Sequence, residues 1–355
     1  MNRVAHRPRL AFLGGALISL VLLAGLAAPG AAAAGLRSIG GSWSAVPALP
    51  AMSAPMALTT GADGRLYLFG FCEDTTCPQR HGAATYGEST TYVFDPADWA
   101  WHNGASAPSI CSGAMAAAPR PDGKIELAGC WHDMVTDPGF RVAVYEPVGA
   151  TWTLRRGHGP FVDPIAGMAG PNGAIYWFSE RLRVEDTAVF TNGYRVVVEI
   201  AGQYVSGAAA GPGAASDAAV LGPDGRVYAM GGWRNCQPEF GPCPVRPVRA
   251  WQPLPNSWGT VSRLPTPRIR VAAAIDSRGR IFVMGGIAGD GSAGYTTVEV
   301  YRIASHSWRR APSLTLSRMD ALATATPDGR VWLIGGYDTL SGSPQFDGEV
   351  YTPGG

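Results

Sequence analysis

Six copies of one short hydrophobic pattern, each opened by a glycine, recur along the chain: Gly64-Arg-Leu-Tyr-Leu-Phe-Gly70, Gly123-Lys-Ile-Glu-Leu-Ala-Gly129, Gly173-Ala-Ile-Tyr-Trp-Phe-Ser179, Gly225-Arg-Val-Tyr-Ala-Met-Gly231, Gly279-Arg-Ile-Phe-Val-Met-Gly285 and Gly329-Arg-Val-Trp-Leu-Ile-Gly335. Successive copies lie 59, 50, 52, 54 and 50 residues apart. Trp43, Trp101, Trp152, Tyr204, Trp258 and Trp308 precede those glycines by 21, 22, 21, 21, 21 and 21 residues. A third marker stands seven residues before the aromatic wherever a preceding repeat exists: Phe94, Tyr145, Val197, Trp251 and Tyr301. Self-similarity at such a period means that each unit is one supersecondary element, which buries its apolar surface only by stacking on its neighbours.

Within a unit, an Ala-rich segment such as Met115 to Ala118 or Val271 to Ala274 leads into a turn, often Pro-Asp-Gly as at Pro121-Asp122-Gly123, Pro223-Asp224-Gly225 and Pro327-Asp328-Gly329. Such a turn joins two antiparallel strands. The β-branched and aromatic run after it forms the second strand, a run such as Thr297 to Tyr301 the third, and the Trp-bearing segment the fourth. Composition agrees: with 47 Gly and 29 Pro in 355 residues, turns are frequent and long helices scarce. A hydrophobic content of 46% against 15% charged residues excludes disorder. Formal net charge +1 gives no reason to expect nucleic acid or an anionic membrane as partner.

These residues resemble the kelch repeats of β-propellers in the galactose oxidase-like superfamily. Gly231-Gly232, Gly285-Gly286 and Gly335-Gly336 match the kelch doublet after the second strand, and Tyr301 with Trp308 matches the later aromatic pair. Repeats one to three depart from the doublet, reading Gly70-Phe71, Gly129-Cys130 and Ser179-Glu180. The resemblance covers Gly41 to the C-terminus. It implies an all-β, six-bladed kelch-type propeller of four-stranded antiparallel blades. The last repeat stops after Val350-Tyr351 without its Trp strand, whereas Trp43 has no third strand before it. The N-terminal strand is therefore expected to complete the sixth blade beside Glu349 to Thr352, closing the ring and removing open edges.

Residues 1–34 read as a secretory signal: Arg3, Arg7 and Arg9, an apolar run from Leu10 to Ala28, and a small-residue cleavage tract ending at Ala34. An uncleaved anchor is the alternative. Residues 35–40 are a short linker and 41–355 the propeller. Either way the domain is expected outside the cytoplasm, secreted, periplasmic or on the cell surface, and monomeric with no membrane span after cleavage. Six cysteines in an exported chain suggest disulfides, and sequence neighbours make Cys72–Cys77, Cys111–Cys130 and Cys236–Cys243 the most economical of 15 pairings. A cysteine metal site is the alternative, though no Cys-x-x-Cys occurs. The six histidines show no metal-ligand spacing. The copper-bearing kelch relatives use a Tyr-His pair, and this chain has no Tyr-His dipeptide; no metal and no cofactor are expected.

In kelch propellers the loops after the second strand share one face with the segments leading into the first strand, and that face is where a site is expected. The lead-in segments of blades three to six carry Asp163, Asp217, Arg268, Arg270, Arg318 and Asp320, the candidate ligand-binding residues. Arg side chains offer bidentate contacts to carboxylates or sulfates. The segment Ser179 to Phe190 resembles the corresponding blade loop of bacterial sialic acid mutarotases, which implies Glu180 as acid/base and Arg183 as the arginine; the Glu-to-Arg interval is shorter here. Two functions follow as expectations. One is a secreted interaction module presenting loops to an extracellular glycan or protein. The alternative is an exported sugar-directed enzyme of mutarotase type.

Overall fold

The turn that opens each repeat sets the architecture. In the computed structural model of the chain, which describes residues 35–50, 54–72, 88–107, 115–130, 141–156, 162–185, 188–210, 216–235 and 242–354, the six marker glycines hold φ between 68° and 84°. That left-handed region is open to glycine at no steric cost. In four repeats the aspartate before the glycine, Asp63, Asp122, Asp224 or Asp328, accepts the backbone N–H of the residue after it. The side chain thus fixes the reversal that the glycine permits, and the flanking strands pair antiparallel.

Six four-stranded antiparallel sheets result, with strands named a to d from the innermost outwards. Blade one comprises Ala54–Thr60, Leu66–Cys72, Glu88–Asp95 and Ala100–Asn103; blade two Ala116–Pro119, Ile125–Cys130, Arg141–Glu146 and Thr151–Arg156; blade three Val162–Ala169, Ile175–Glu185, Ala188–Ile200 and Gln203–Ala210. Blade four comprises Ala218–Leu221, Val227–Met230, Pro247–Gln252 and Ser257–Arg263; blade five Ala272–Ile275, Arg280–Met284, Val298–Arg302 and Ser307–Ala311; blade six Leu322–Ala325, Val331–Ile334, Gly348–Thr352 and, from the other end of the chain, Ser42–Val46. The a strands contact one another around the circle, blade six meeting blade one, and together line one central channel of about 500 Å³. Among the described residues there is no α-helix. No helix there is long and apolar enough to cross a membrane.

The ring closes as the repeat arithmetic requires, with Trp43 directly opposite Tyr351. In five of the six blades the Trp marker clamps the blade to the one before it: the indole N–H of Trp43 donates to Pro312 O at 2.8 Å, Trp101 to Pro47 O at 2.9 Å, Trp152 to Ala105 O at 3.0 Å, Trp258 to Ala208 O at 2.8 Å and Trp308 to Ser262 Oγ at 2.9 Å. Residues 35–40, read as a linker, lie against blade five: Ile39 N–H donates to Arg310 O and Arg310 N–H to Arg37 O.

Blade three departs from the sequence reading twice. Phe94, Tyr145, Trp251 and Tyr301 face their Trp partners across strands c and d. Tyr204 instead faces Glu199, and Val197 lies opposite Ser206. The cause is turn length. The other c–d hairpins have longer turns ending on a left-handed residue, such as Trp99, Ala150, Asn256 or His306, whereas blade three turns in two residues, Ala201 at φ 51° and Gly202 at φ 80°. Within the stretch expected as a loop, Ser179 to Glu185 and Ala188 to Phe190 prolong strands b and c as a ribbon, with Arg183 opposite Phe190 and Glu185 opposite Ala188.

Two measurements test the closure. Deleting Gly41 to Pro47 is expected to lower the melting temperature and broaden the transition in calorimetry, because it removes the outer strand of blade six; a melt like the parent's would contradict closure. Trp43→Phe keeps the ring but loses the indole donor, and should cost about 0.5–1.5 kcal/mol in denaturant unfolding.

Candidate functional site: the mouth of the channel

Where the lead-in segments cross the channel end, the chain doubles back beside the Gly-Gly pairs. Gly285, Gly286, Gly335 and Gly336 all hold φ between 62° and 89°. A Cβ on Gly286 would sit 2.6 Å from Ile269 O, and one on Gly336 2.6 Å from Met319 O. The doublets of the later blades are thus the condition for the lead-in backbone to pass this close. They let Gly286 N–H donate to Arg318 O at 2.7 Å, tying blade five to blade six.

Arg268 and Arg318, expected to face a ligand, are instead spent inside the blades. Arg268 is fully buried and lies 3.1 Å from Glu299, itself fully buried on strand c. Its guanidinium also donates to Gly285 O at 3.1 Å and Thr297 O at 2.9 Å, and stacks 4.8 Å from the Tyr295 ring centre. Arg318 repeats the arrangement fifty residues on, with Gly335 O and the Asp347 carboxylate at 3.3 and 2.8 Å and Glu349 at 3.8 Å. Glu299 and Glu349 in turn accept the backbone N–H groups of Thr266 and Thr315. These arginines hold the lead-in segment to its own blade: Arg268 uses every guanidinium nitrogen inside it, and Arg318, 1% exposed, keeps its guanidinium enclosed, with Nε facing no acceptor.

Of the candidate residues whose side chains are described, Arg270, Asp320 and Asp217 remain at the opening. Arg270 and Asp320 occupy equivalent positions in blades five and six, each with left-handed backbone, φ 59° and 53°, a conformation that side-chain-bearing residues adopt rarely and that marks a constrained site. Asp320 N–H donates to Arg270 O at 3.1 Å, and the two side chains form an ion pair in which each is about two-fifths exposed, 40% and 39%. Asp217, from blade four, lines the channel with Val271 and Ala321. Its carboxylate accepts Val271 N–H at 3.3 Å and the N–H groups of Gly232 and Arg270. Burial outweighs these donors and, with Asp320 adding repulsion, pushes the Asp217 carboxyl up to about 7.

Asp163 lies on the first strand of blade three beside a register shift that sets Val162 opposite Glu180. The side chains of Asp163, Glu180, Arg183, Cys72 and Cys130 are outside the described residues, as are the whole of Cys77, Cys111 and Cys236. Cys243 is disulfide-bonded, on a short ribbon that places it opposite Arg234. Among the described residues no three of His, Cys, Asp and Glu converge as metal ligands. His102 pairs with Asp98 at 2.8 Å and His306 with the Tyr301 hydroxyl at 3.0 Å, both away from the mouth, so these side chains do not fit a copper centre of the kind some kelch relatives carry.

The kelch motif matches residues 277–315, from the turn of blade five through its outer strand. No curated protein sequence matches the chain. A solved structure described as a novel fungal alcohol oxidase of the AA5 family, in complex with copper, is similar over 88% of this chain and 76% of its own, with a TM-score of 0.59 and 14% identity; that likeness shows the fold alone. Motif and architecture together define a six-bladed β-propeller that carries a kelch motif in blade five.

Arg268→Ala is expected to destabilise the protein by about 3–5 kcal/mol in urea unfolding, since Glu299 would be left buried and unpaired. Adding Glu299→Gln should recover part of that loss. A change below about 1 kcal/mol, the range of exposed pairs, would contradict the internal role.

Proposed function

We propose that the protein is an exported interaction module whose channel mouth binds a neutral glycan. The half-exposed Arg270–Asp320 pair, fixed on constrained backbone at the opening, carries this reading. A guanidinium beside a carboxylate offers donors and acceptors together, the pattern that vicinal hydroxyls satisfy. With Arg268 and Arg318 engaged internally, Arg270 at the mouth is matched by the Asp320 carboxylate, which favours a neutral ligand over an anionic one. A polar protein loop with the same hydrogen-bonding groups is the other ligand of this class. The leader at residues 1–34 supports export, and export supports the pairings Cys72–Cys77, Cys111–Cys130 and Cys236–Cys243.

Asp217 favours the second reading, a sugar-directed enzyme. A carboxyl near 7 beside a channel mouth is matched to proton transfer at neutral pH, so Asp217 joins Glu180 and Arg183 as a candidate acid/base of a mutarotase-like reaction.

On a glycan array, Arg270→Ala and Asp320→Asn should each weaken binding roughly tenfold, about 1.4 kcal/mol, with unchanged melting temperature and little effect of added salt. Unchanged affinity in both variants would remove the mouth as the site. Anomer exchange followed by NMR, lost in Asp217→Asn, would move the reading to the enzyme. Peptide mapping of the non-reduced exported protein tests the three pairings, and a link between blades would contradict them.

A further inference from the structure

Each seam of the ring is sealed in the same way but one. The residue three after the marker glycine, on strand b, meets the strand-c residue of the next blade that lies at the outer hairpin: Tyr67 meets Tyr145 at 5.9 Å between ring centres, Tyr176 meets Trp251 at 6.0 Å, Tyr228 meets Tyr301 at 6.4 Å, Phe282 meets Tyr351 at 5.0 Å and Trp332 meets Phe94 at 5.2 Å. In blade two that strand-b residue is Glu126. In blade three the equivalent strand-c residue is Glu199, because Ile175 pairs with Glu199 as Ile125 pairs with Tyr145 and Ile281 with Tyr301. Between blades two and three, two carboxyls stand where every other seam has two aromatic rings.

Both are buried, Glu126 at 0% and Glu199 at 2% exposure. Oε1 of Glu126 is enclosed and meets no N–H or O–H donor of its surroundings; the group within hydrogen-bonding reach is the Glu199 carboxyl. Arg120, from the first turn of blade two, donates to Glu126 Oε2 at 2.5 Å and also pairs with Asp122. Arg155, on strand d of blade two, reaches both carboxylates at 3.5 Å. From blade three, the Trp177 indole donates to Glu199 Oε2 at 3.3 Å, and the Tyr204 hydroxyl bonds to Glu199. The seam opens on a groove of about 420 Å³ lined by Arg120, Lys124, Arg155 and Glu199, where Lys124 is engaged with Glu146 at 3.1 Å.

We propose that Glu126 and Glu199 form a proton-operated latch between blades two and three, which holds the seam shut while one proton is shared and loosens it towards the groove when that proton leaves. Two buried carboxyls within reach of each other repel when both are ionised and have lost their hydration, a penalty that Arg120 and Arg155 offset only in part, so a shared proton stabilises the closed seam. Burial first and Glu199 second push the Glu126 carboxyl up to about 8, against the opposing pull of Arg120. A folded-state value above the ordinary 4.5 means that the stabilisation is complete below that value and is lost as pH climbs towards about 8. Asp217 acts in the same sense, but its window ends near 7, so the two are separable. The proposal is independent of what binds at the channel mouth.

The test is an infrared titration of the protein and of its Asp217→Asn variant, with melting temperatures followed in parallel from about pH 5 to about pH 9. A protonated-carboxyl C=O band should persist at neutral pH in the Asp217→Asn protein, disappear as pH passes about 8, and be absent from Asp217→Asn combined with Glu126→Gln. The same added substitution should remove most of the pH-dependent fall in melting temperature. Glu126→Phe with Glu199→Tyr, which restores an aromatic seam, should flatten the profile and raise the alkaline melting temperature above the parent's. No band titrating near 8, or an unchanged profile in a folded Glu126→Gln variant, would overturn the latch. Should the variants fail to fold, the unsubstituted protein decides: one band titrating near 7 and none near 8 rejects the proposal, and a second band near 8 upholds it.

Discussion

The ring depends on one contact repeated around it, an aromatic side chain on the second strand of a blade pressed against one on the third strand of the next. A single four-stranded sheet of this size has two apolar faces and no means of covering them. The strand-b aromatic reaches forward to the following blade, while the outer-strand Trp reaches back to hydrogen-bond the preceding one. Apart from blade two, whose strand-b residue is Glu126, and blade three, whose outer-strand aromatic is Tyr204, each blade is therefore held from both sides by residues at fixed offsets from one glycine. The offset is constant because the contact is: shifting the aromatic by one residue along a strand turns it to the opposite face. The near-invariant distance of 21 or 22 residues between aromatic and glycine is the linear record of that geometry.

The same economy shapes the mouth. In blades five and six the lead-in segment must cross close to the second strand, and only a doublet of glycines leaves room for it. Once the backbone is there, a buried Arg–Glu pair fixes it, Arg268 with Glu299 and Arg318 with Glu349. A buried ion pair contributes little net stability over an apolar packing, but it fails badly when one partner is missing. It therefore fixes one arrangement of the loop over its competitors. Two residues beyond each of these arginines, the chain is free to present a side chain outward, and that is where Arg270 and Asp320 stand.

The repeat, the blade count and the closure by Trp43 were legible in the sequence because each follows from spacing and from which strand is missing at each end. The candidate site was legible only in part. Arg268, Arg270 and Arg318 look alike in a linear reading, all being arginines near the start of an inner strand. What separates them is two positions along an extended backbone that turns left-handed at Arg270, and the distant Glu299 and Glu349 that claim the other two. Val197 was assigned to the third marker because its distance from Tyr204 matched; the two-residue turn at Ala201-Gly202 moved the register and put Glu199 there instead. Turn length is a local property, and its effect on pairing appears only when both strands are in place.

Departure from the repeat carries information of its own. Position three after the marker glycine is Tyr, Glu, Tyr, Tyr, Phe and Trp through the six repeats, and the single charged residue stands out once the position is known to be a seam. A carboxylate there would be destabilising if it stood alone, since it would replace ring packing with an unsolvated charge. It becomes tolerable only because the facing position changed with it, and because Arg120, Arg155 and Trp177 supply donors around the pair. Coordinated change at two positions far apart in sequence, within a ring whose other seams keep the aromatic solution, points to a property that aromatic packing lacks. Of the properties a carboxyl pair adds, a response to proton concentration in the range where proteins normally work is the one its burial confers.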